Sequence, residues 1–237
     1  RGKPELNAKE FISADATPII RRMRIGIDMG GTKIEGIVLD FQGRECARKR
    51  LSTPAGDYSA TVSAVAELVD ILSSETNLAT NVPIGVGIPG TVSPVTGLIK
   101  NANSTCWIGK RLDRDLTEAT GRAVRLANDA NCFVFSEATD GAGAGHAVIF
   151  GVILGTGVGG AISIDGKLMN GLNAIAGEWG HNPLPWPQVL DGRDERDGEP
   201  CYCGQSGCIE TFLSGPGLCR DHKRHIGQHV ASDMITD

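Results

Sequence analysis

One strand–glycine turn–strand pattern occurs twice in this chain of 237 residues, and the duplication limits the folds that the chain can adopt. The copies cover residues 24–40 and 148–167, and Ile25–Asp40 aligns with Phe150–Asp165 at a separation of 125 residues. A repeat at this distance predicts two similar domains rather than the short units of a solenoid. Because strand and helix patterns alternate between the copies, the sequence predicts an α/β fold.

The segment between the two copies shows the alternation clearly. Apolar residues at helical spacing predict a helix over residues 59–72, and an apolar run ending in a Pro-Gly turn predicts a strand over residues 83–89. A short helix at residues 112–120 and a strand at residues 124–126 follow.

The same patterns suggest how the chain divides into domains. We expect a boundary near Gly121, which gives an N-terminal domain of residues 23–121 and a C-terminal domain of residues 122–237. Residues 1–22 precede the organised pattern and are predicted to be an extension without an assigned role.

Composition and charge exclude several classes of protein. Apolar residues make up 41% of the chain, which is ordinary for a globular protein, and no apolar run is long enough to cross a membrane. The net charge of -5 argues against nucleic-acid binding. The first 22 residues lack the apolar stretch of a secretory signal, and the seven cysteines are unevenly spaced. We therefore expect a cytoplasmic protein in a reducing compartment.

The first glycine turn has the composition of a phosphate-binding loop. Residues 30–33 read Gly-Gly-Thr-Lys between two strands, so backbone N–H groups, a hydroxyl and a positive charge can face one anion. Asp28, directly before the turn, is a candidate metal ligand acting through water. The alternative is a tight hairpin that binds no ligand.

The second glycine turn, residues 155–160, contains a formal G-x-G-x-x-G. A dinucleotide-binding site requires a helix after this motif. Residues 161–165 instead alternate β-branched and polar residues, which indicates a strand. Two such hairpins, one in each half, favour a phosphate chain held from both sides.

Four residues have the spacing of a zinc site. Cys201, Cys203 and Cys208 form C-x-C-x4-C, and His181 precedes them by twenty residues. Three thiolates and one imidazole complete a tetrahedral site, which indicates a structural Zn²⁺ rather than a catalytic one. The alternatives are free thiols in a turn or a disulfide.

Several carboxylates and amides could serve a phosphoryl transfer to a polyol, because such a reaction needs a base and many hydrogen-bonding groups. Each has a simpler explanation. Asp129 could cap a helix, Glu178 could be a solvated loop residue, and Glu210 could be a first-turn charge. Only their combination with two phosphate-binding turns favours an active site.

Taken together, the motifs resemble those of the ROK family of sugar kinases and related repressors. The resemblance covers about residues 23–220, and Asn182–Trp186 is most similar to bacterial fructokinases of the manno(fructo)kinase type. The segments that carry it are residues 27–33, 87–90, 100–104, 126–131, 155–157, 177–181 and 201–210.

The resemblance implies an actin/hexokinase-like (ribonuclease H-like) ATPase fold, with two domains around a cleft. It implies phosphorylation of a hexose, fructose at its 6-hydroxyl, with Asp129 as general base, and a homodimer or higher homo-oligomer. The implied sugar contacts are Asn103, Asn128, Glu178, His181 and Glu210. ATP phosphates and Mg²⁺ are implied at Asp28, Gly30, Gly31, Thr32, Lys33, Gly155, Thr156 and Gly157.

The family pattern continues beyond the position that matches Asp237. We therefore expect a C-terminally truncated chain with an incomplete nucleotide site and weak kinase activity. The alternatives are a kinase for glucose, mannose or an N-acetylhexosamine, a sugar-responsive repressor, or a sugar-binding fragment without catalysis. A repressor is disfavoured because the residues before Met23 show no helix-turn-helix pattern.

Overall fold

The computed structural model of the protein describes residues 23–102, 104–190, 193–227 and 231. The predicted extension of residues 1–22 lies outside the described residues. The first half of the described chain forms β1 (Arg24–Met29), β2 (Lys33–Leu39), β3 (Glu45–Ser52), α1 (Tyr58–Thr76), β4 (Ile84–Ile88), β5 (Thr91–Val92), β6 (Ile99–Lys100), a 3₁₀ turn (Thr105–Trp107), α2 (Leu112–Thr120) and β7 (Val124–Asn128).

The first sheet has the strand order β3-β2-β1-β4-β7. Strands β1 and β2 form an antiparallel hairpin, whereas β1, β4 and β7 are parallel neighbours. In this register Asp28 lies opposite Gly87, and Ile88 lies opposite Asn128. The carboxyl ends of three strands therefore meet at one edge of the sheet, which is where ligands bind in open α/β sheets.

The core of this half lies between the sheet and helix α1. Alternate residues of β1 are buried, as expected for a strand with one covered face, and α1 buries one stripe that includes Leu68 and Leu72. Gly36 lets the helix approach the sheet closely, because a Cβ there would lie 2.6 Å from Leu72 Cδ1 and 2.9 Å from Ile27 Cδ1.

The second sheet repeats the plan of the first. Helix α3 (Asp129–Asp140) leads into β8 (Val148–Leu154), β9 (Val158–Ile164) and the short β10 (Lys167–Leu168), which pair antiparallel in the order β10-β9-β8. This order matches β3-β2-β1 and confirms the predicted duplication. Val134 of α3 packs against Gly151 of β8, where a Cβ would lie 2.1 Å from Val134 Cγ2.

The last part of the described chain contains β11 (Val189–Leu190), β12 (Arg193–Asp194), α4 (Glu210–Leu213) and α5 (Gly215–Ile226). The Ser214 hydroxyl accepts from Gly217 N and caps α5, which ends at Gly227 in the left-handed conformation with φ 76°. Among the described residues no helix is both long and apolar enough to cross a membrane.

The predicted elements agree with those observed, and α2 has the predicted bounds. Helix α1 extends beyond the predicted range because Asp57 caps its first turn and Asn77, at φ 52°, ends it. Strand β7 follows the boundary predicted near Gly121 but pairs with β4 in the first sheet. The boundary remains a prediction, and this pairing favours a division after Asn128 instead.

Candidate active site

Two aspartates lie at the edge where β1, β4 and β7 end. Asp28 is near the end of β1, and Asp129 directly follows β7 as the first residue of α3. Burial raises the pKa of Asp129 above that of an ordinary aspartate, and the charge of Asp28 raises it further. Burial and Glu35 likewise raise the pKa of Asp28, while Lys33 opposes this shift.

Asp129 is not the cap of α3, which was the simpler explanation of its position. Asn128 is the cap, because its Oδ1 accepts from Asn131 N at 3.1 Å. Asp129 Oδ1 accepts from Ala130 N at 2.8 Å and from Asn128 Nδ2 at 3.0 Å. Among the other described residues none is recorded as donating to Asp129 Oδ2, so this oxygen is the one that can face a ligand.

Asn128 was predicted to contact a sugar, and the structure gives its polar atoms other partners. Its Nδ2 also donates to the carbonyl oxygen of Gly90 at 3.1 Å. Gly90 has φ 141°, and a Cβ there would lie 2.9 Å from Ala102 Cα, so the position requires glycine. Asn128 therefore orients Asp129. Asn103, the other predicted amide contact, lies outside the described residues.

Glu178 and Glu210 bring two further carboxylates to the site from the second half. Burial raises the pKa of Glu178, and the charges of Asp129 and Glu210 add to this effect. A Cβ at Gly159 would lie 3.8 Å from Glu178 Oε2 and 4.0 Å from Ala130 Cβ, which places Glu178 near the start of α3. Glu210 Oε2 accepts from Val158 N at 2.9 Å. A Cβ at Gly157 would lie 2.6 Å from the same oxygen, which explains the glycine.

Thr53, which the sequence patterns did not indicate, holds the first glycine turn through two hydrogen bonds. Thr53 N donates to Thr32 O at 3.0 Å, and Thr53 Oγ1 donates to Gly30 O at 2.8 Å. A Cβ at Gly31 would meet only Ser104 Oγ, at 3.8 Å, so the front of the turn is open. Lys33 begins β2 directly after the turn.

The second glycine turn borders an open cavity. Strand β9 follows this turn at once, which confirms that the motif is not a dinucleotide-binding loop. A Cβ at Gly155 would meet no atom within 4 Å. The cavity of about 590 Å³ is lined by Gly155 and Thr156 and, on α5, by Arg220 and Lys223. The positive charges of Arg220 and Lys223 make this open space a candidate site for an anion.

The predicted zinc ligands come together. The ligand atoms of His181, Cys201, Cys203 and Cys208 all lie within 4.8 Å of one another, and all seven cysteines are free. Cys203 Sγ lies 3.6 Å from Cys208 Sγ, close to the separation of about 3.8 Å that Zn–S bonds of ~2.3 Å give in a tetrahedron. The donors therefore fit Zn²⁺, and the structure contains no disulfide between them.

Tyr202, between two of these cysteines, was not identified from the sequence. Its hydroxyl lies 3.1 Å from His181 Nε2, and the two rings meet edge to face at 5.1 Å and 88°. The other ring nitrogen, Nδ1, lies 3.5 Å from Cys201 Sγ. Tyr202 thus covers Nε2 of His181, the nitrogen that the predicted contact with sugar would use. That contact remains a prediction.

Two contacts join the loop before Glu178 to the first half. Lys100 Nζ donates to Asn173 O at 2.8 Å, and Thr91 Oγ1 donates to Ala174 O at 3.2 Å. Trp179 Nε1 donates to Gly159 O at 2.8 Å and fixes the other side of Glu178. No local sequence signal indicates these contacts, because they join residues 20 to 83 positions apart.

The duplicated hairpins, the strand order and the cleft edge define an actin/hexokinase-like fold. A ROK family glucokinase from Streptomyces griseus, solved with glucose and AMPPNP, matches with a TM-score of 0.72 and 32% identity, over 86% of this chain and 61% of that one. The protein belongs to the ROK family, whose sequence model matches residues 24–236.

Curated relatives agree with this family. The N-acetylgalactosamine kinase AgaK of Shewanella sp. (strain ANA-3) is 38% identical over 206 residues, which are 87% of this chain and 65% of that protein. The N-acetyl-D-glucosamine kinase of Pectobacterium atrosepticum is 40% identical over 196 residues, 83% of this chain and 64% of the relative. The chain thus spans just under two thirds of the length of these two relatives.

Proposed function

We propose that the protein is an ATP-dependent hexose kinase that phosphorylates a 6-hydroxyl group, with Asp129 as the general base. The observation that carries the proposal is the environment of Asp129. Its carboxylate is partly buried at the cleft edge, one oxygen is held by the helix and the other is available. A carboxylate of raised pKa is a stronger base than an ordinary aspartate, as the transfer of a hydroxyl proton requires.

In this reaction Asp129 accepts the proton of the sugar hydroxyl while the hydroxyl oxygen attacks the γ-phosphorus of ATP. A bond from phosphorus to the sugar oxygen forms, and the bond to the bridging oxygen of ADP breaks. Catalysis then depends on positioning, because the protein forms no covalent intermediate. The fixed Oδ1 of Asp129 supports such positioning, since two hydrogen bonds hold the carboxylate in one orientation.

The two glycine turns would bind the phosphates. The open front of residues 30–33 and the cavity at Gly155 lie on opposite hairpins, and Lys33 adds positive charge. Asp28 would hold Mg²⁺, since its carboxylate oxygens suit a hard cation at the edge of the sheet. When bound, Mg²⁺ neutralises phosphate charge.

Zn²⁺ would be held by His181, Cys201, Cys203 and Cys208 in a structural role. Burial raises the pKa of Cys208 to about 12 in the absence of a cation, so a metal is needed to keep this sulfur as thiolate. The same loop leads directly into Glu210, so the metal would fix one wall of the sugar site.

For the sugar we propose an N-acetylhexosamine rather than fructose. The two curated relatives are named for N-acetylgalactosamine and N-acetylglucosamine, and the solved glucokinase was determined with glucose. The fructose prediction came from sequence details such as residues 182–186, and these comparisons do not support it.

The decisive experiment is an ADP-release assay with Mg-ATP and a panel of sugars: N-acetylglucosamine, N-acetylgalactosamine, N-acetylmannosamine, glucose, mannose and fructose. We expect the highest kcat/KM for an N-acetylhexosamine.

Asp129→Asn should lower kcat at least 100-fold, because general-base catalysis contributes about 10²–10⁴. Asp140→Asn, at the exposed far end of α3, is the matched control and should keep full activity. Equal rates in the wild type and Asp129→Asn would contradict the assignment of the base.

A further inference from the structure

Two donors of the first half hold two consecutive carbonyl groups of the second half. Lys100 Nζ donates to Asn173 O at 2.8 Å, and Thr91 Oγ1 donates to Ala174 O at 3.2 Å. Thr91 and Lys100 are directly opposite each other in the pairing of β5 with β6, so their side chains leave the hairpin on the same face. The hairpin therefore presents a pair of donors to two adjacent peptide groups.

The segment that these donors hold, residues 169–177, forms a turn with a strained residue in it. Ala174 has φ 55°, a left-handed conformation that is unfavourable for alanine. Within the turn the N–H groups of Ala174 and Ala176 donate to Gly171 O at 3.4 Å and to Asn170 O at 3.2 Å. An unfavourable backbone conformation persists where the surrounding contacts determine it, so the two donors of the hairpin help to fix this turn.

The turn leads directly to Glu178, whose side-chain position depends on its backbone. Among the described residues no hydrogen bond to the Glu178 carboxylate is recorded. Gly177, directly before it, has φ 92° and lies against β9, where a Cβ would be 2.7 Å from Ala161 Cα. Directly after it, Trp179 Nε1 donates to Gly159 O at 2.8 Å. The backbone is thus held on both sides of Glu178, and on the N-terminal side it continues from the turn that the β5–β6 hairpin holds.

We propose that Lys100 is a positioning residue for sugar binding, which acts with Thr91 through the turn of residues 169–177 to place the Glu178 carboxylate. This inference rests on the proposed sugar kinase function, in which Glu178 accepts hydrogen bonds from sugar hydroxyls. Hydrogen bonds weaken steeply when the acceptor is displaced, so a carboxylate that only its backbone directs is sensitive to the preceding turn. Lys100 therefore connects the first half to a sugar contact of the second half without being a sugar ligand itself.

Amide hydrogen exchange, followed by mass spectrometry without sugar or nucleotide, tests the contact itself. In Lys100→Met the side chain keeps its apolar part and loses its ammonium donor. We expect exchange of residues 170–178 to become about fivefold faster, since one hydrogen bond is lost, and exchange in β1 and β4 to stay as in the wild type. Unchanged exchange of the turn would show that Lys100 does not hold it, and faster exchange throughout the chain would show a general loss of stability. Either result would overturn the proposal.

Calorimetric titration with N-acetylglucosamine, without nucleotide, tests the effect on sugar binding. We expect the Kd of Lys100→Met to be about fivefold higher than that of the wild type, and Lys100→Arg, which keeps a charged donor, to stay within about twofold. Thr91→Val, which lacks the second donor at a similar shape, should also raise the Kd. Lys167→Met, at an exposed lysine of β10, is the matched control and should bind as the wild type does. Equal affinity of Lys100→Met and the wild type would contradict the proposed role.

A double substitution shows whether the effect passes through Glu178. Glu178→Gln should itself weaken sugar binding, and the addition of Lys100→Met should then change the Kd by less than about twofold, because both changes act on one contact. A further loss of about fivefold in this background would show that Lys100 acts by another route, against the proposal. Because the titrations contain no ATP, a wild type that binds N-acetylglucosamine but releases no ADP would count against the kinase function alone. A wild type that binds no sugar of the panel would contradict both.

Discussion

At the scale of single residues, Asn128 and Asp129 differ in the hydrogen bonds that they form at the start of α3. A capping residue uses its side-chain oxygen to accept a hydrogen bond from the first turn of the helix. Asn128 has this role at α3, and Asp129 is partly buried with a raised pKa. The sequence identified both residues but could not divide the roles between them, because neighbouring Asn and Asp have similar cap preferences. Only the hydrogen bonds distinguish them.

The raised pKa predicts a stability effect that does not depend on activity. In the folded state burial disfavours the charged form of Asp129, so its ionisation lowers stability above the ordinary pKa of 3.8. Asp129→Asn should therefore raise Tm at pH 7 by roughly 2 °C, the scale of a change of less than 1 kcal/mol in a chain of this size. The gain should shrink as pH falls through the raised folded-state pKa towards 3.8, because below that value the acid is protonated in both states.

Differential scanning calorimetry of the wild type and Asp129→Asn between pH 4 and 8 measures this effect. Asp140→Asn is again the control, because Asp140 lies at the exposed end of α3. A lower Tm for Asp129→Asn than for the wild type at pH 7 would show that the charge stabilises the fold.

At the scale of elements, the duplicated hairpin explains how much the sequence could predict. The hairpins β1–β2 and β8–β9 have strong local patterns, and the bounds of α2 agree with its apolar spacing. The contacts of Thr91, Lys100 and Tyr202 could not be predicted, since each depends on the packing of distant segments. The sequence predicted the strand β7 but not its pairing with β4, because a strand pattern does not reveal which sheet the strand joins.

Gly36 provides a prediction at this scale. Gly36→Ala should lower the free energy of unfolding by about 1–3 kcal/mol, because the new Cβ overlaps buried Leu72 and Ile27. Urea denaturation measures the change. Gly85→Ala is the matched control on β4: a Cβ there meets only Ile25 O, at 4.0 Å, so this variant should keep or slightly raise stability. Equal stability of the two variants would show that α1 can move away from the sheet at little cost.

At the scale of the whole molecule, the site is assembled from both halves. The first half supplies Asp28, the second supplies Glu178 and Glu210, and Asp129 lies between the two sheets. The sequence predicted these groups from motifs, yet their proximity depends on parallel strands ending at one edge and on the loop tied to Lys100. The motifs therefore identify the chemistry, and the fold determines its geometry.

Removal of zinc tests how much the proposed zinc-binding loop, residues 201–208, contributes to the stability of the fold. A strong chelator should lower Tm by roughly 10 °C, because the free energy of binding structural zinc contributes several kcal/mol to folding. Cys208→Ser should have a low Tm without the chelator and respond little to it, since Cys208 is a buried member of the cluster. Cys46→Ser, an exposed cysteine outside the cluster, should behave as the wild type. No response of the wild type to the chelator, with zinc released, would contradict a structural role.

The short helix α4 has a consequence for the engineering of this protein. Its first residue, Glu210, donates its N–H to Gly180 O and accepts at Oε2 from Val158 N, two residues after Cys208. One residue thus connects the sulfur cluster, the segment of Glu178 and the second glycine turn. A chimera that exchanges only residues 201–210 with a relative would combine the relative's Glu210 segment with Gly180 and Val158 of this protein. We therefore expect sugar selectivity to be exchanged only when segments 155–160 and 177–181 are transferred together with residues 201–210.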